Sequence, residues 1–165
     1  QAAIGRVQLR RLPGFIEARK QNWETLRRGL VAHEGVLEFA LPTHATAWDA
    51  DDGFSWDDTG CRTDCSWFGF KIAVRAGAPF SRTELARELD RHQIGNRMLF
   101  GGNLLRQPAF VQLRDDRPDA IRVVGEMVGS DEIMDSSLFL GTYPGLTQDQ
   151  LSTEIQVISA FAEKS

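Results

Sequence analysis

The sequence is poor in several features, and each shortage narrows the reading. No apolar run approaches the roughly 20 residues that cross a bilayer, and the N-terminus lacks the apolar core of a secretory signal. A membrane protein is therefore not expected, and a cytoplasmic one is. Two cysteines occur, Cys61 and Cys65. A structural zinc or iron–sulfur site usually takes four ligands, so this pair predicts two free thiols in a loop and no metal. Positive charge is scarce as well: 19 Lys and Arg stand against 23 Asp and Glu, a net charge of −4. A broad nucleic-acid surface needs clustered positive charge, so no nucleic-acid partner is expected. The short runs Arg10-Arg11 and Arg27-Arg28 read as solvated helix faces. Neither a glycine-rich phosphate loop nor a dinucleotide-binding fingerprint occurs, and there is no internal repeat.

What remains is an ordinary globular composition, 42% hydrophobic and 25% charged over 165 residues, enough to bury one core without disulfide or metal staples. Gln1-Ala2-Ala3-Ile4-Gly5 opens directly into a helical pattern with Ile4, Val7, Leu9 and Leu12, which predicts a fragment boundary. Pro13 suits a first helical turn. Phe15, Ile16, Trp23, Leu26, Leu30 and Val31 then recur at helical spacing, so a second helix is expected from Pro13 to about His33, capped by Gly35. From Leu41 to Ser66, Pro42, Gly53, Gly60 and the run Asp49, Asp51, Asp52, Asp57 and Asp58 predict a long acidic loop. Its Trp48, Phe54 and Trp56 either pack locally or cap a ligand.

Ser66–Val74 reads as a strand. Ser81-Arg82-Thr83-Glu84 is a capping box that opens a helix to about Gln93. Short strands are expected at Asn96–Phe100, Ile121–Val124 and Leu138–Tyr143, and a short helix at Asp131–Asp135. Thr147 caps a last helix whose stripe is Leu151, Ile155, Val157, Ile158 and Phe161. This order predicts an α+β domain, a small and mostly antiparallel sheet with helices on one face.

The chemistry concentrates between Ile94 and Phe110. Arg97 and Arg106 can offer planar forks to phosphate or carboxylate. Asn96 and Asn103 can bond sugar hydroxyls, and Gly101-Gly102 lets the backbone approach a ligand closely. The segment is either an anion- and hydroxyl-binding loop or a tight turn with surface arginines. His33 and His92 fall near helix C-termini, where the dipole favours a positive ring, and His44 falls in the acidic loop. All three read as structural or solvent-facing.

The run Ile94–Phe110 resembles a signature of the DegT/DnrJ/StrS aminotransferase family, in its nucleotide-sugar 3-dehydrase branch. Gln1–Leu9, Leu12–Arg19, Ser66-Trp67-Phe68-Gly69-Phe70, Arg122–Glu126, Asp131–Met134 and Gly141-Thr142-Tyr143-Pro144-Gly145-Leu146 are similar to that branch in order and spacing, so the resemblance spans nearly the whole chain. It implies the C-terminal small domain of the aspartate-aminotransferase-like fold, residues 1–35 being linking helices and 36–165 the domain proper. It implies an enzyme of deoxysugar and lipopolysaccharide biosynthesis that uses pyridoxamine or pyridoxal phosphate to expel the 3-hydroxyl of a nucleotide-linked 4-keto-6-deoxysugar. Arg97, Phe100, Asn103 and Arg106 would anchor that substrate. The cofactor and the reacting His or Lys would belong to an absent large domain, as would any iron–sulfur cysteines, with a homodimer partner completing the cleft. No catalytic or cofactor-binding residue is expected in this chain. A sugar aminotransferase of the same family and a non-catalytic interaction module remain the alternatives.

Overall fold

The chain was described from a computed structural model covering residues 2–164. Helix α1 runs unbroken over Ala2–Gly29, so the break expected at Pro13 does not occur. An internal proline costs one hydrogen bond to the carbonyl four residues back. Here that carbonyl belongs to Leu9 in an exposed stretch, where water can take the bond. The helix also ends earlier than the spacing predicts, at Gly29, and a 3₁₀ turn over Val31–His33 follows. A Cβ on Gly29 would collide with the side chain of Ile155, and that close approach marks the helix end. Gly35 does not serve as the cap.

Four antiparallel strands form the main sheet: β1 (Leu37–Phe39), β4 (Gly69–Val74), β6 (Ser137–Gly141) and β5 (Asn96–Met98), in that spatial order. Period-2 alternation gives the sheet two unlike faces. Phe70, Ile72, Val74, Leu138 and Leu140 point inward and are buried. Against them lie α1, α2 (Arg82–Arg91) and α5 (Gln148–Lys164), which contribute Trp23, Leu26, Leu85, Leu89, Leu151 and Ile158 to a single core. The opposite face carries Lys71, Phe139 and Arg97. Helix α4 (Val128–Ser136) borders part of it, lining with Lys71 and Ala73 a cleft of about 880 Å³.

The capping signals hold. Ser81 accepts from the Glu84 amide while the Glu84 carboxylate accepts from the Ser81 amide. Thr147 Oγ1 accepts from the Gln150 amide, and Gln150 Oε1 accepts from the Thr147 amide.

The acidic loop is a correction. Residues β2 (Ala45–Asp49) and β3 (Gly53–Trp56) pair as a hairpin. Asp49 Oδ1 accepts from the Asp51 and Asp52 amides at 2.7 and 3.1 Å, so part of the acidic run builds the turn. Trp48 and Phe54 face each other across the pair and pack on Trp23, with ring centroids at 5.8 and 5.4 Å. Trp23 in turn stacks on Trp67 at 4.6 Å with the planes 7° apart. Local packing accounts for these aromatics. The guanidinium of Arg27 lies 4.8 Å from both the Phe39 and Trp48 ring centroids and is ion-paired to Glu34.

Residues 121–124 form no strand. They pair with no neighbour, and Val123 and Val124 are exposed; a strand without a partner ladder leaves its backbone groups unbonded to any other chain segment. Besides the hairpin, β1 and α3 (Pro108–Asp116) were not foreseen. Strand β1 is only three residues long, too short for a periodic signal, and α3 buries no residue and so carries no apolar stripe.

Candidate functional site

The segment after α2 is positioned residue by residue. The Asn96 side chain turns inward and donates to Asp90 Oδ1 at 2.9 Å, tying β5 to the end of α2. Arg97 falls on the outer face, exposed, and its Nη1 donates to the Asn96 carbonyl at 2.9 Å. The chain then turns sharply. Phe100 adopts a left-handed φ of 53° and is 79% exposed. A non-glycine residue in that region is strained by about 1 kcal/mol or more and persists only where its surroundings hold it. Gly102 follows at φ 60°, and a Cβ there would lie 2.6 Å from Met134 Cβ. The missing side chain lets the loop lie directly on α4.

The loop is then fastened. Asn103, 4% exposed, accepts from the Leu105 amide at 3.0 Å and donates to Asp131 Oδ1 at 2.7 Å. Arg106 grips the same carboxylate with Nε and Nη2, and Gln107 Nε2 donates to the Gly101 carbonyl at 2.7 Å. The guanidinium of Arg106, followed by the amide of Asn103, holds the Asp131 carboxyl down at about 2. At the other end of α4, Arg82 donates to the Met134 and Asp135 carbonyls at 3.2 and 3.4 Å, where a cation complements the helix dipole.

The four predicted anchors therefore divide. Asn103 and Arg106 converge on Asp131, Asn103 buried and Arg106 with its side chain still 62% exposed. Arg97 and Phe100 keep exposed side chains beside that fastened loop. The strand register adds residues that sequence reasoning missed: Lys71 lies opposite Phe139, and Phe139 opposite Arg97, so all three share the outer face. The rings of Phe68 and Phe100 lie 5.7 and 6.3 Å from Phe139. Alternation along the strand at 69–74 would have placed Lys71 outward; its neighbours across the sheet had no local signal.

Elsewhere the polar groups are local. His44 Nδ1 lies 3.1 Å from Asp57 Oδ2 and 3.2 Å from Thr59 Oγ1. His92 follows α2 and its Nε2 lies 3.4 Å from Glu88. Cys61 and Cys65 are free thiols, and burial raises that of Cys65. Among the described residues no group of three or more His, Cys, Asp or Glu is placed to hold a metal, and no helix is long and apolar enough to cross a membrane.

Comparison with known proteins places this geometry in context. Residues 1–160 match the model of the DegT/DnrJ/EryC1/StrS aminotransferase family. The lipopolysaccharide biosynthesis protein RfbH of Salmonella typhimurium is 37% identical over 163 residues, 99% of this chain and 31% of that protein. A dTDP-4-dehydro-2,6-dideoxy-D-glucose 3-dehydratase of Saccharopolyspora spinosa is 34% identical over 165 residues, all of this chain and 30% of that one. The fold is similar to that of E. coli GDP-4-keto-6-deoxy-D-mannose-3-dehydratase with bound hydrated PLP. There the TM-score is 0.70 at 24% identity, covering 94% of this chain and 34% of that one. The chain thus spans about a third of the length of the proteins it matches.

Proposed function

The chain belongs to the DegT/DnrJ/EryC1/StrS aminotransferase family, and on that premise we propose that it is the small-domain portion of a longer nucleotide-sugar 3-dehydratase of deoxysugar and lipopolysaccharide biosynthesis. In this reading residues 36–165 form one wall of the substrate cleft and residues 1–35 link it to a large domain. The exposed apolar side chains of Ile4, Val7, Leu9 and Leu12 on α1 support that link. The substrate is a nucleotide-linked 4-keto-6-deoxysugar, and a second copy of the protein completes the cleft in the cytoplasm.

The observation that carries the proposal is the loop over residues 99–107, held to α4 through Asp131 and Gly102. A strained loop fastened to α4 that leaves Phe100 and Arg97 outward is preorganised for a ligand. Arg97 meets phosphate or hydroxyl oxygens, and Phe100 offers an aromatic surface. Asn103 and Arg106 act at the same place by fixing the loop, and Arg106 keeps an exposed edge toward the sugar nucleotide. Binding energy collected this far from the reacting carbon orients it.

Pyridoxal or pyridoxamine phosphate, when bound, supplies an electron sink that eases loss of a hydroxyl. The residues of this chain do not fit it. The buried polar atoms without partners among the described residues are Arg27 Nε and Nη1 and Glu154 Oε2. Arg27 is enclosed between two aromatic rings, and Glu154 is an acid, so neither cradles a phosphate. The cofactor and the proton-moving side chain belong, in this proposal, to the rest of the longer protein. Accordingly, the chain mixed with pyridoxal phosphate at equimolar ratio is expected to yield no borohydride-stable adduct by mass spectrometry.

The deciding experiment incubates the longer protein with pyridoxamine phosphate and dTDP- or GDP-linked 4-keto-6-deoxyhexoses. A product lacking the 3-hydroxyl is expected. A product carrying a new amino group instead would make it a sugar aminotransferase, and an untouched substrate with a self-associating chain would make it an interaction module.

A further inference from the structure

We infer that the cleft between α1 and the turn after β6 is a binding site for a small organic polyanion, a molecule with two or more carboxylate or phosphate groups held by Arg10, Arg11 and Arg19. The inference goes beyond the dehydratase reading and does not rest on it.

Helical spacing builds one wall. Gln8, Arg11, Phe15 and Arg19 recur three or four residues apart along α1 and so share a face, with Arg10 at its edge. Tyr143, Pro144 and Gly145 form the facing wall, and the cleft between them measures about 900 Å³. The Arg10-Arg11 run therefore borders a concavity as well as bulk solvent.

The walls are held in place. Arg19 is half-buried, and its Nη1 donates to the Trp67 and Phe68 carbonyls at 2.9 and 3.4 Å and to Thr142 Oγ1 at 3.5 Å. Those bonds occupy one nitrogen, while Nε and Nη2 make no hydrogen bond among the described residues. Buried Asn22 donates to the Tyr143 carbonyl at 2.8 Å, which ties the turn to the helix. The Tyr143 ring lies on Gly145, where a Cβ would come within 2.5 Å of its Cε1. Arg11 rests over the Phe15 ring at 5.2 Å. Donors fixed beforehand lose less freedom when a ligand binds.

Charge and size decide the ligand. Arginine is the only charged residue type that lines the cleft. Among the described residues no ion pair involves Arg10, Arg11 or Arg19. The carboxylate next to them along α1, that of Glu17, accepts from Gln21 and does not line the cleft. Three guanidinium groups without acidic partners favour an anion of more than one charge, and their planar forks match carboxylate and phosphate alike. The volume far exceeds an inorganic ion and falls in the range of sites for small organic molecules. Leu12, Phe15 and Pro144 offer apolar surface to its carbon frame.

The test titrates the chain by calorimetry with citrate, with inorganic pyrophosphate and, as a singly charged control, with acetate. Citrate or pyrophosphate is expected to bind at millimolar concentration or below, the tighter of the two identifying carboxylate or phosphate as the group recognised, and acetate is expected not to bind. Arg11→Gln and Arg19→Gln should each weaken binding by about tenfold. Arg6→Gln removes the same charge from an exposed position of the same helix outside the cleft, and should change affinity by no more than about twofold. Thermal melts check that each variant folds, and Arg10→Gln, at an exposed position, replaces Arg19→Gln if that variant does not. Three results overturn the inference: no polyanion binding at millimolar concentration, equal weakening by Arg6→Gln and Arg11→Gln, or acetate binding as tightly as citrate.

Discussion

Arg106 forks onto Asp131, its Nε 2.9 Å from Oδ1 and its Nη2 2.6 Å from Oδ2. A bidentate guanidinium–carboxylate pair fixes direction as well as distance. Here it joins the loop after β5 to the first turn of α4 across 25 residues of sequence, and Asn103 bonds the same carboxylate from beneath.

Asp131→Asn should therefore free the loop without unfolding the domain. Hydrogen exchange at the Leu105 and Arg106 amides is expected to accelerate, while amides of α1 keep their protection. Because the folded carboxyl sits at about 2, below its ordinary value near 4, its contribution is complete above about pH 4. It is lost as pH falls toward 2. Exchange measured between pH 2 and 5 in the parent protein should trace that window, and the variant should lack it.

Gly102→Ala meets two obstacles at once, the left-handed φ and the Met134 side chain. A loss of about 1–3 kcal/mol is expected from urea denaturation. Adding Met134→Ala removes the Cγ contact but keeps the Cβ at 2.6 Å, so it should recover only part of the steric loss and leave the backbone part, and the double-mutant cycle should be non-additive. An additive result would place Gly102 away from α4.

Trp23 touches four aromatic rings: Trp48, Phe54, Trp67 and Phe70. Trp23→Ala should cost about 3–5 kcal/mol and release the hairpin from α1. Loss of the near-ultraviolet dichroism of the stacked tryptophans, with far-ultraviolet helix signal retained, would register that release.

Glu154 runs against the usual carboxylate trend. Burial raises it to about 7, and its Oε2 lacks a partner. The folded state then favours the protonated form, so stability is greatest below about pH 4.5 and falls as pH rises through 7. Glu154→Gln should remove this dependence and stabilise the chain at pH 8 by roughly 1–2 kcal/mol, allowing for solvent screening. Thermal melts from pH 4 to 8 measure it, and parallel curves for parent and variant would refute it.

Much of the fold was legible in the residues, and particular elements show why. The Ser81–Glu84 box and the Thr147 cap marked helix starts correctly, because a cap is built from residues three apart. The strand over 137–141 and the helix over 128–136 were foreseen to within a few residues. The failures share one origin. Pro13 was read by its intrinsic preference, which solvent around Leu9 offsets. The aspartates from 49 to 58 looked like a loop, because the hairpin's apolar signal is carried by Trp48 and Phe54, whose partner Trp23 lies in α1. Residues 121–124 had strand-like composition but no strand beside them.

Of the candidate site, Arg97, Asn103 and Arg106 were singled out by residue type, and Phe100 by the family resemblance alone. The fastening of Asn103 and Arg106, and not of Arg97 and Phe100, to Asp131 was not foreseen, because Asp131 enters from another helix.

By itself the sequence determined the local pieces: helix caps, strand alternation, the glycine turn and the family to which these residues bear likeness. Each depends on neighbours within a few positions. The tertiary structure alone decided which faces meet, setting Lys71, Phe139 and Arg97 in one row and closing Arg106 on Asp131. Such contacts arise from the register of paired strands and the burial of a shared core, and those forces act between residues that the chain itself holds far apart.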